Sequence, residues 1–302
     1  MSDISRRTFV RTTVGTAVGT TLAAATLAAA DYRILDPHVH VWKHDPEFPF
    51  APGQNVPERD ATPETLLGLM KSNGVSKTVL IQVIHYRYDN RFLAHTLKQY
   101  PKTFKGVCRV DPLAPAAPDH LSKLTEQGFS GVRLSPGLGA VGDWIKGPLM
   151  PPLWKRCSEL KVPMTVLAPV VRMPEIAKLM EKLPEMTLVI DHMADCPVDQ
   201  PKELEKLIAL KRYPNVFVKI SHTWSLSKEK YPWKDAQALV KRLYDSFGPQ
   251  RLMWATDWPI IENSGAKYEQ ALSVVRDEMK FLNAEDKEWM LSKTIERVWN
   301  FD

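Results

Sequence analysis

The stretch Ile34-Leu35-Asp36-Pro37-His38-Val39-His40-Val41-Trp42 is apolar and β-branched, yet an acid and two histidines fall at every second position of it. In a strand, residues two apart point to the same side. His38 and His40 therefore converge on one face, with Asp36 below them and Trp42 above. Two later runs end in a similar way, one in Asp191-His192 and the other in Thr256-Asp257-Trp258-Pro259. Two imidazoles on one wall, one on a second and a carboxylate on a third can surround a divalent metal or a water. Of the eight histidines, His38, His40 and His192 are those whose spacing carries this information.

Outward from the first run, strand-like segments alternate with amphipathic helical ones. The strand candidates are 34–41, 77–84, 104–110, 131–134, 163–167, 188–191, 216–221 and 252–256. Between them, helical patterns cover 63–72, 90–100, 119–127, 153–160, 174–183, 202–212, 234–247 and 268–281, with a closing helix over 284–298. Pro63, Pro174 and the Asp89-Asn90 pair are helix-start signals. Strict β-then-α alternation predicts a parallel sheet, and eight units predict a single-domain α/β chain folded as a (β/α)8 TIM barrel. An open doubly wound sheet is the alternative, but no Gly-rich phosphate turn follows the first strand.

Residues 1–30 stand apart from this pattern. Ser5-Arg6-Arg7-Thr8-Phe9-Val10-Arg11 resembles a twin-arginine export signal, and the uncharged small-residue stretch after it ends in Ala28-Ala29-Ala30, a small-residue cleavage site. That stretch is too weakly apolar for a comfortable span. The expectation is export to the periplasm, cleavage near Ala30, and a mature domain over 31–302 with no stable membrane association. Three cysteines, Cys108, Cys157 and Cys196, are too few and odd in number for a disulfide framework, so they read as buried thiols. The net charge of +5 is mild, and no basic stripe argues for nucleic acid. The expected partner is a small-molecule substrate, with self-association left open.

In a (β/α)8 barrel the active site lies at the C-terminal ends of the strands, where the unusual polar residues of this chain fall. Strand one offers His38 and His40, and strand four Arg133. Strand six offers His192, with Asp191 expected to point the other way by strand alternation. Strand seven offers Lys219 and Ser221, with His222 just past its end. Strand eight ends in Asp257. One such residue is usually a structural group, whereas five strands ending in His, Arg, Lys or Asp are hard to explain as packing.

These motifs resemble the amidohydrolase superfamily, and most of all its lactonase-like branch. The resemblance rests on His-x-His after a leading Asp on strand one, Asp-His on strand six and Thr-Asp-Trp-Pro on strand eight. Gly131-Val132-Arg133-Leu134 and Asn215-Val216-Phe217-Val218-Lys219-Ile220-Ser221 add to it. It implies that His38, His40, His192 and Asp257 form a metal site or hold the carbonyl, with Asp257 activating water and His192 assisting. One divalent ion, with zinc the expected metal, follows, although some members of the branch work without one. Strand four has no Lys and strand five no His, so a two-metal site is not expected. The residue after Ser221 is usually Gly and here is His222, which adds a possible substrate contact.

An activated water, a polarised carbonyl and a proton for the departing alkoxide are what opening an ester or lactone requires. Arg133 and Lys219 would meet a substrate acid group or the developing oxyanion. His85 and Trp42 are further candidate substrate contacts, His85 lying in the loop His85-Tyr86-Arg87-Tyr88. The Pro- and aromatic-rich loop 44–53 is placed where a barrel builds specificity. His95 and His120 read as surface residues. Hydrolysis of a small carboxylated lactone or related ester is the leading expectation. Lactone isomerisation, decarboxylation, amide hydrolysis and a non-catalytic binding role are the alternatives. Superfamily decarboxylases usually carry Glu at the position of His38, which counts against that one.

Overall fold

A computed structural model describes residues 32–135 and 144–301; the twin-arginine leader read from the sequence lies outside the described residues. Eight strands appear where the apolar runs predict them: β1 Ile34–Val39, β2 Val75–Ile81, β3 Phe104–Cys108, β4 Phe129–Leu134, β5 Met164–Val166, β6 Leu188–Ile190, β7 Val216–Lys219 and β8 Leu252–Met253. They are parallel and hydrogen-bonded in chain order. The ring closes through a parallel bridge from Val39 to Trp258, supported by His40 N–H donating to the Trp258 carbonyl at 2.7 Å. This is the expected (β/α)8 barrel. Its strands are buried on both faces, as the unbroken Val79-Leu80-Ile81 and Leu188-Val189-Ile190 runs require.

Helices form the outer layer, and the first shows how local sequence sets their limits. Thr62 Oγ1 accepts from Thr65 N–H at 3.2 Å, Pro63 opens the helix Pro63–Asn73, and Gly74 closes it at φ 70°. The helix Lys234–Phe247 has the predicted bounds. Others are less regular than their periodicity suggests. The 202–212 segment is a 3₁₀–α–3₁₀ succession. The closing helix opens into a π turn over Trp289–Lys293. There Thr294 N–H bonds the Trp289 carbonyl, which leaves the Met290 carbonyl to accept from Trp254 N–H at 3.2 Å. The irregular turn thus fastens the short strand β8 from outside. Trp254 Nε1 donates to the Leu35 carbonyl and binds it to β1 as well.

Candidate active site

The strand ends carry an unusual backbone. Four consecutive residues after β6, His192 to Asp195, lie at φ 46–54°, His222 follows β7 at φ 67°, and Asp257 follows β8 at φ 55°. A left-handed conformation costs an L-residue roughly 1–2 kcal/mol, and such outliers cluster where function demands them. At β6 this overturns one expectation. Asp191 was to point away from His192, but the left-handed turn at His192 breaks the strand alternation, and both side chains enter the barrel.

Asp191 is the hub of a fully buried ion cluster. Its Oδ1 lies 3.0 Å from Lys219 Nζ and 3.2 Å from His38 Nδ1, and its Oδ2 accepts from Arg133 Nε at 2.8 Å. The Oδ1 contacts are close but poorly aligned as hydrogen bonds, so charge rather than direction holds the one to Lys219. Burial alone would push the Asp191 pKa up, but Lys219, His38 and Arg133 hold it well below the usual carboxylate range. Lys219 and Arg133, the expected substrate cations, are therefore both engaged with a protein carboxylate. Burial, then the neighbouring Lys219, lowers the His38 pKa to about 3, so that ring is neutral.

Above this hub, Asp257 faces the histidine pair. Its Oδ2 accepts from His222 Nε2 at 2.7 Å. Its Oδ1 has no hydrogen-bond partner and lies 3.1 Å from His40 Nε2 and 3.5 Å from His38 Nε2, which are 3.3 Å from each other. His40 Nδ1 contacts the Ile81 carbonyl at 2.7 Å, so that nitrogen carries the proton and Nε2 presents a lone pair. A lone pair 3.1 Å from an unpartnered carboxylate oxygen calls for a cation between them. Tetrahedral zinc at about 2.0–2.1 Å from N and O ligands has donor–donor edges of about 3.3–3.4 Å. The three measured edges match that size, so His38, His40 and Asp257 fit a divalent ion. Asp36 fixes this wall from below, accepting from His38 N–H and from the Thr256 side chain; burial raises its pKa to about 6.

The fourth expected donor, His192, lines the site but lies outside that trio. It groups with His38 and Asp191, and with His222 and Asp257, but not with His40. Its Nδ1 is 2.7 Å from Ser221 Oγ, and burial, reinforced by His222 and His38, holds its pKa well below the usual histidine value. The His222 ring stacks on it at 3.5 Å and 2°. Burial opposes a charge on His222, but hydrogen bonds to Asp195 and Asp257 outweigh it and raise its pKa to about 9. His222 is thus a charged partner of the Asp257 carboxylate, with 16% of its side chain exposed.

Trp42 and His85 make a wall beside this centre, with ring centroids 5.1 Å apart. Together with Arg59, Pro259, Ile260 and Asn263 they line a cavity of about 610 Å³. Trp42 Nε1 donates to the Arg59 carbonyl at 2.7 Å, whereas His85 Nδ1 is buried without a partner. The loop 44–53 closes over the loop after β2, Phe50 stacking on Tyr86 at 5.0 Å. Cys108, Cys157 and Cys196 are free and buried, as expected. His95 and His120 are exposed.

Two residues escaped the sequence reading. Asp195 is reached only through the left-handed turn after β6. Arg109 was absorbed into the apolar run 104–110, yet β3 ends at Cys108, which puts Arg109 on the strand's C-terminal end. The signal was present as the charge immediately after Phe104-Lys105-Gly106-Val107-Cys108.

Comparison with known proteins agrees with this geometry. The chain is 26% identical over 237 residues to the L-fucono-1,5-lactonase of Burkholderia ambifaria, covering 76% of this chain and 82% of that one. It is 28% identical to the 2-pyrone-4,6-dicarboxylate hydrolase of Comamonas testosteroni, covering 74% and 76%. In fold it resembles the crystal structure of a zinc-bound amidohydrolase from Burkholderia multivorans, with a TM-score of 0.74, 19% identity, and coverage of 88% and 98%. The profile of the amidohydrolase family matches residues 35–301, the whole barrel, and this chain belongs to that family as a TIM-barrel hydrolase.

Proposed function

We propose that the protein hydrolyses a small carboxylated lactone, with Asp257 as the base that activates water. One observation carries this: Asp257 is a buried carboxylate with one oxygen pinned by His222 and the other unpartnered beside the His38 and His40 imidazoles. Burial pushes its pKa up, but the hydrogen bond from His222 outweighs that and keeps it well below the usual range, so it is ionised and able to accept a proton at Oδ1. The lactonase and the pyrone hydrolase described above support the substrate class.

In this reading a water held at Oδ1 adds its oxygen to the lactone carbonyl carbon and gives its proton to Asp257. His192 takes the tautomer in which Ser221 donates to Nδ1, which leaves Nε2–H for the carbonyl oxygen as negative charge develops. When the tetrahedral adduct collapses, the ring C–O bond breaks and Asp257 returns the proton to the departing oxygen, giving a hydroxy acid. Trp42 and His85 shape the wall against which the ring lies. His38, His40 and Asp257 would hold the ion, which we assign as zinc; bound there, zinc lowers the pKa of water towards about 7 and polarises an oxygen. The Arg6-Arg7 leader supports export by the twin-arginine route, testable by N-terminal sequencing of the periplasmic protein.

The test is a panel of sugar-acid and dicarboxylated lactones offered to the purified, zinc-supplied protein in a pH-stat. Opening of a carboxylated lactone with stoichiometric acid release is the expected result. Release of carbon dioxide from an aromatic acid, with every lactone left intact, would overturn it.

A further inference from the structure

We propose that Arg109 is the anion-recognition residue of this site, receiving a carboxylate that the substrate carries on the side remote from the bond broken. This rests on the lactone-hydrolase reading above and adds to it where the acid group sits.

Arg109 is a buried cation without a carboxylate. It is 5% exposed, and among the described residues it makes no ion pair. Its one side-chain hydrogen bond runs from Nη1 to Ser135 Oγ at 3.1 Å, and its Nε is buried with no acceptor. A guanidinium removed from water and left unpaired is costly. The neighbouring cations Arg133 and Lys219 escape that cost through Asp191, so the carboxylate hub leaves Arg109 over. With Nη1 occupied by Ser135, the edge formed by Nε and Nη2 has no partner among the described residues. That edge presents two parallel N–H groups, the fork that matches the two oxygens of a carboxylate.

The residue is also held in place. Arg109 N–H donates to Asn90 Oδ1 at 3.0 Å, and Asn90 Nδ2 donates back to the Arg109 carbonyl at 2.9 Å. A side chain mounted on such a clamp is preorganised for its ligand. Burial, with Arg133 adding to it, lowers the Arg109 pKa to about 9, which still leaves it charged at neutral pH. In the ring order β1 to β8, Arg109 after β3 and Ser135 after β4 stand across the barrel mouth from Asp257 after β8. A substrate held by both must span the mouth, with its acid group on one side and its lactone carbonyl on the other.

The experiment compares wild type, Arg109→Met and Arg109→Lys in two readouts. In the first, a carboxylated lactone and its methyl ester are assayed side by side. Arg109→Met should raise KM for the acid by about 10–100-fold, the range for loss of a charge-assisted pair. It should leave kcat within about threefold and the ester unaffected, and Arg109→Lys should recover part of the loss. Equal losses on acid and ester would overturn the proposal. The second readout needs no turnover: citrate, as a carboxylate probe, is titrated against the melting temperature of the zinc-supplied protein. Citrate should stabilise wild type and not Arg109→Met, whose unliganded melting temperature should equal or exceed that of wild type. Citrate stabilisation that persists in Arg109→Met, or is absent in wild type, would overturn the proposal. Citrate stabilisation that depends on Arg109, with no lactone opened, would support the anion site while sinking the lactone reading.

Discussion

Asp191→Asn removes one negative charge from a place where three groups depend on it. Lys219 Nζ lies 3.0 Å away, Arg133 Nε 2.8 Å and His38 Nδ1 3.2 Å. Lys219 and Asp191 are both at 0% exposure, so solvent cannot replace the lost partner. Removing one member of a buried pair typically costs about 3–5 kcal/mol. Lys219→Met should cost less, because Arg133 still neutralises Asp191; loss of one charge-assisted contact is worth about 1.5–3 kcal/mol. Total stabilities lie near 5–15 kcal/mol, and each kcal/mol moves the melting temperature of a chain this size by roughly 2–4 °C. Asp191→Asn should therefore lower it by roughly 6–20 °C. The pH dependence has a definite sign. Asp191 has its pKa depressed by folding, so its contribution is present above the unfolded value near about 4 and fades as pH falls through the lower folded value. The gap between wild type and variant should be full at pH 7 and shrink below about pH 4. Urea denaturation followed by tryptophan fluorescence measures it. A loss below about 1 kcal/mol for Asp191→Asn, or a larger loss for Lys219→Met, would refute the assignment of Asp191 as the shared counter-ion.

Other consequences can be checked independently. His222→Phe keeps the ring stacked on His192 but removes the proton shared with Asp257. Because folding raises the His222 pKa to about 9, its stabilisation is complete below the unfolded value near about 6.5 and disappears as pH rises through the folded one. The melting-temperature gap should be widest near pH 6 and nearly closed by pH 10, as read by calorimetry; a gap independent of pH would contradict the charged pairing. His40→Gln removes one imidazole of the trio with His38 and Asp257, so zinc content by mass spectrometry should fall towards zero. Added zinc at about 100 times Kd should stabilise wild type by about 2.7 kcal/mol and leave His40→Gln unchanged; equal stabilisation of both would place the ion elsewhere.

The fold was legible because its signal is repetitive. Each of eight β-branched runs is followed by a helical pattern, and the errors fall on strand ends and on the regularity of some helices rather than on the order of the elements. His38 and His40 were legible for the same reason, since two residues on one strand obey a fixed period. The misreadings occur where that period stops. Asp191 was turned the wrong way because His192 adopts a left-handed backbone that no alternation rule anticipates. Arg133 and Lys219 were correctly placed in the barrel, but their pairing to Asp191 spans three strands and leaves no trace in local sequence. Arg109 went unnoticed because an unpaired charge is defined by what surrounds it, and a sequence does not display surroundings. The π turn at Trp289–Lys293 is a similar case, since the carbonyl that breaks the ladder serves β8.

The central claim is that Asp257 takes the proton from water, and Asp257→Asn tests it most directly. The substitution keeps size and hydrogen-bonding shape, so near-ultraviolet circular dichroism should be unchanged, and zinc content is measured on the same sample to separate loss of the ion from loss of the base. Loss of a positioned general base typically costs about 10²–10⁴-fold in rate, and kcat on the best carboxylated lactone of the panel should fall by at least that range. Retention of more than about a tenth of wild-type turnover would contradict the account and move the proton transfer to another group.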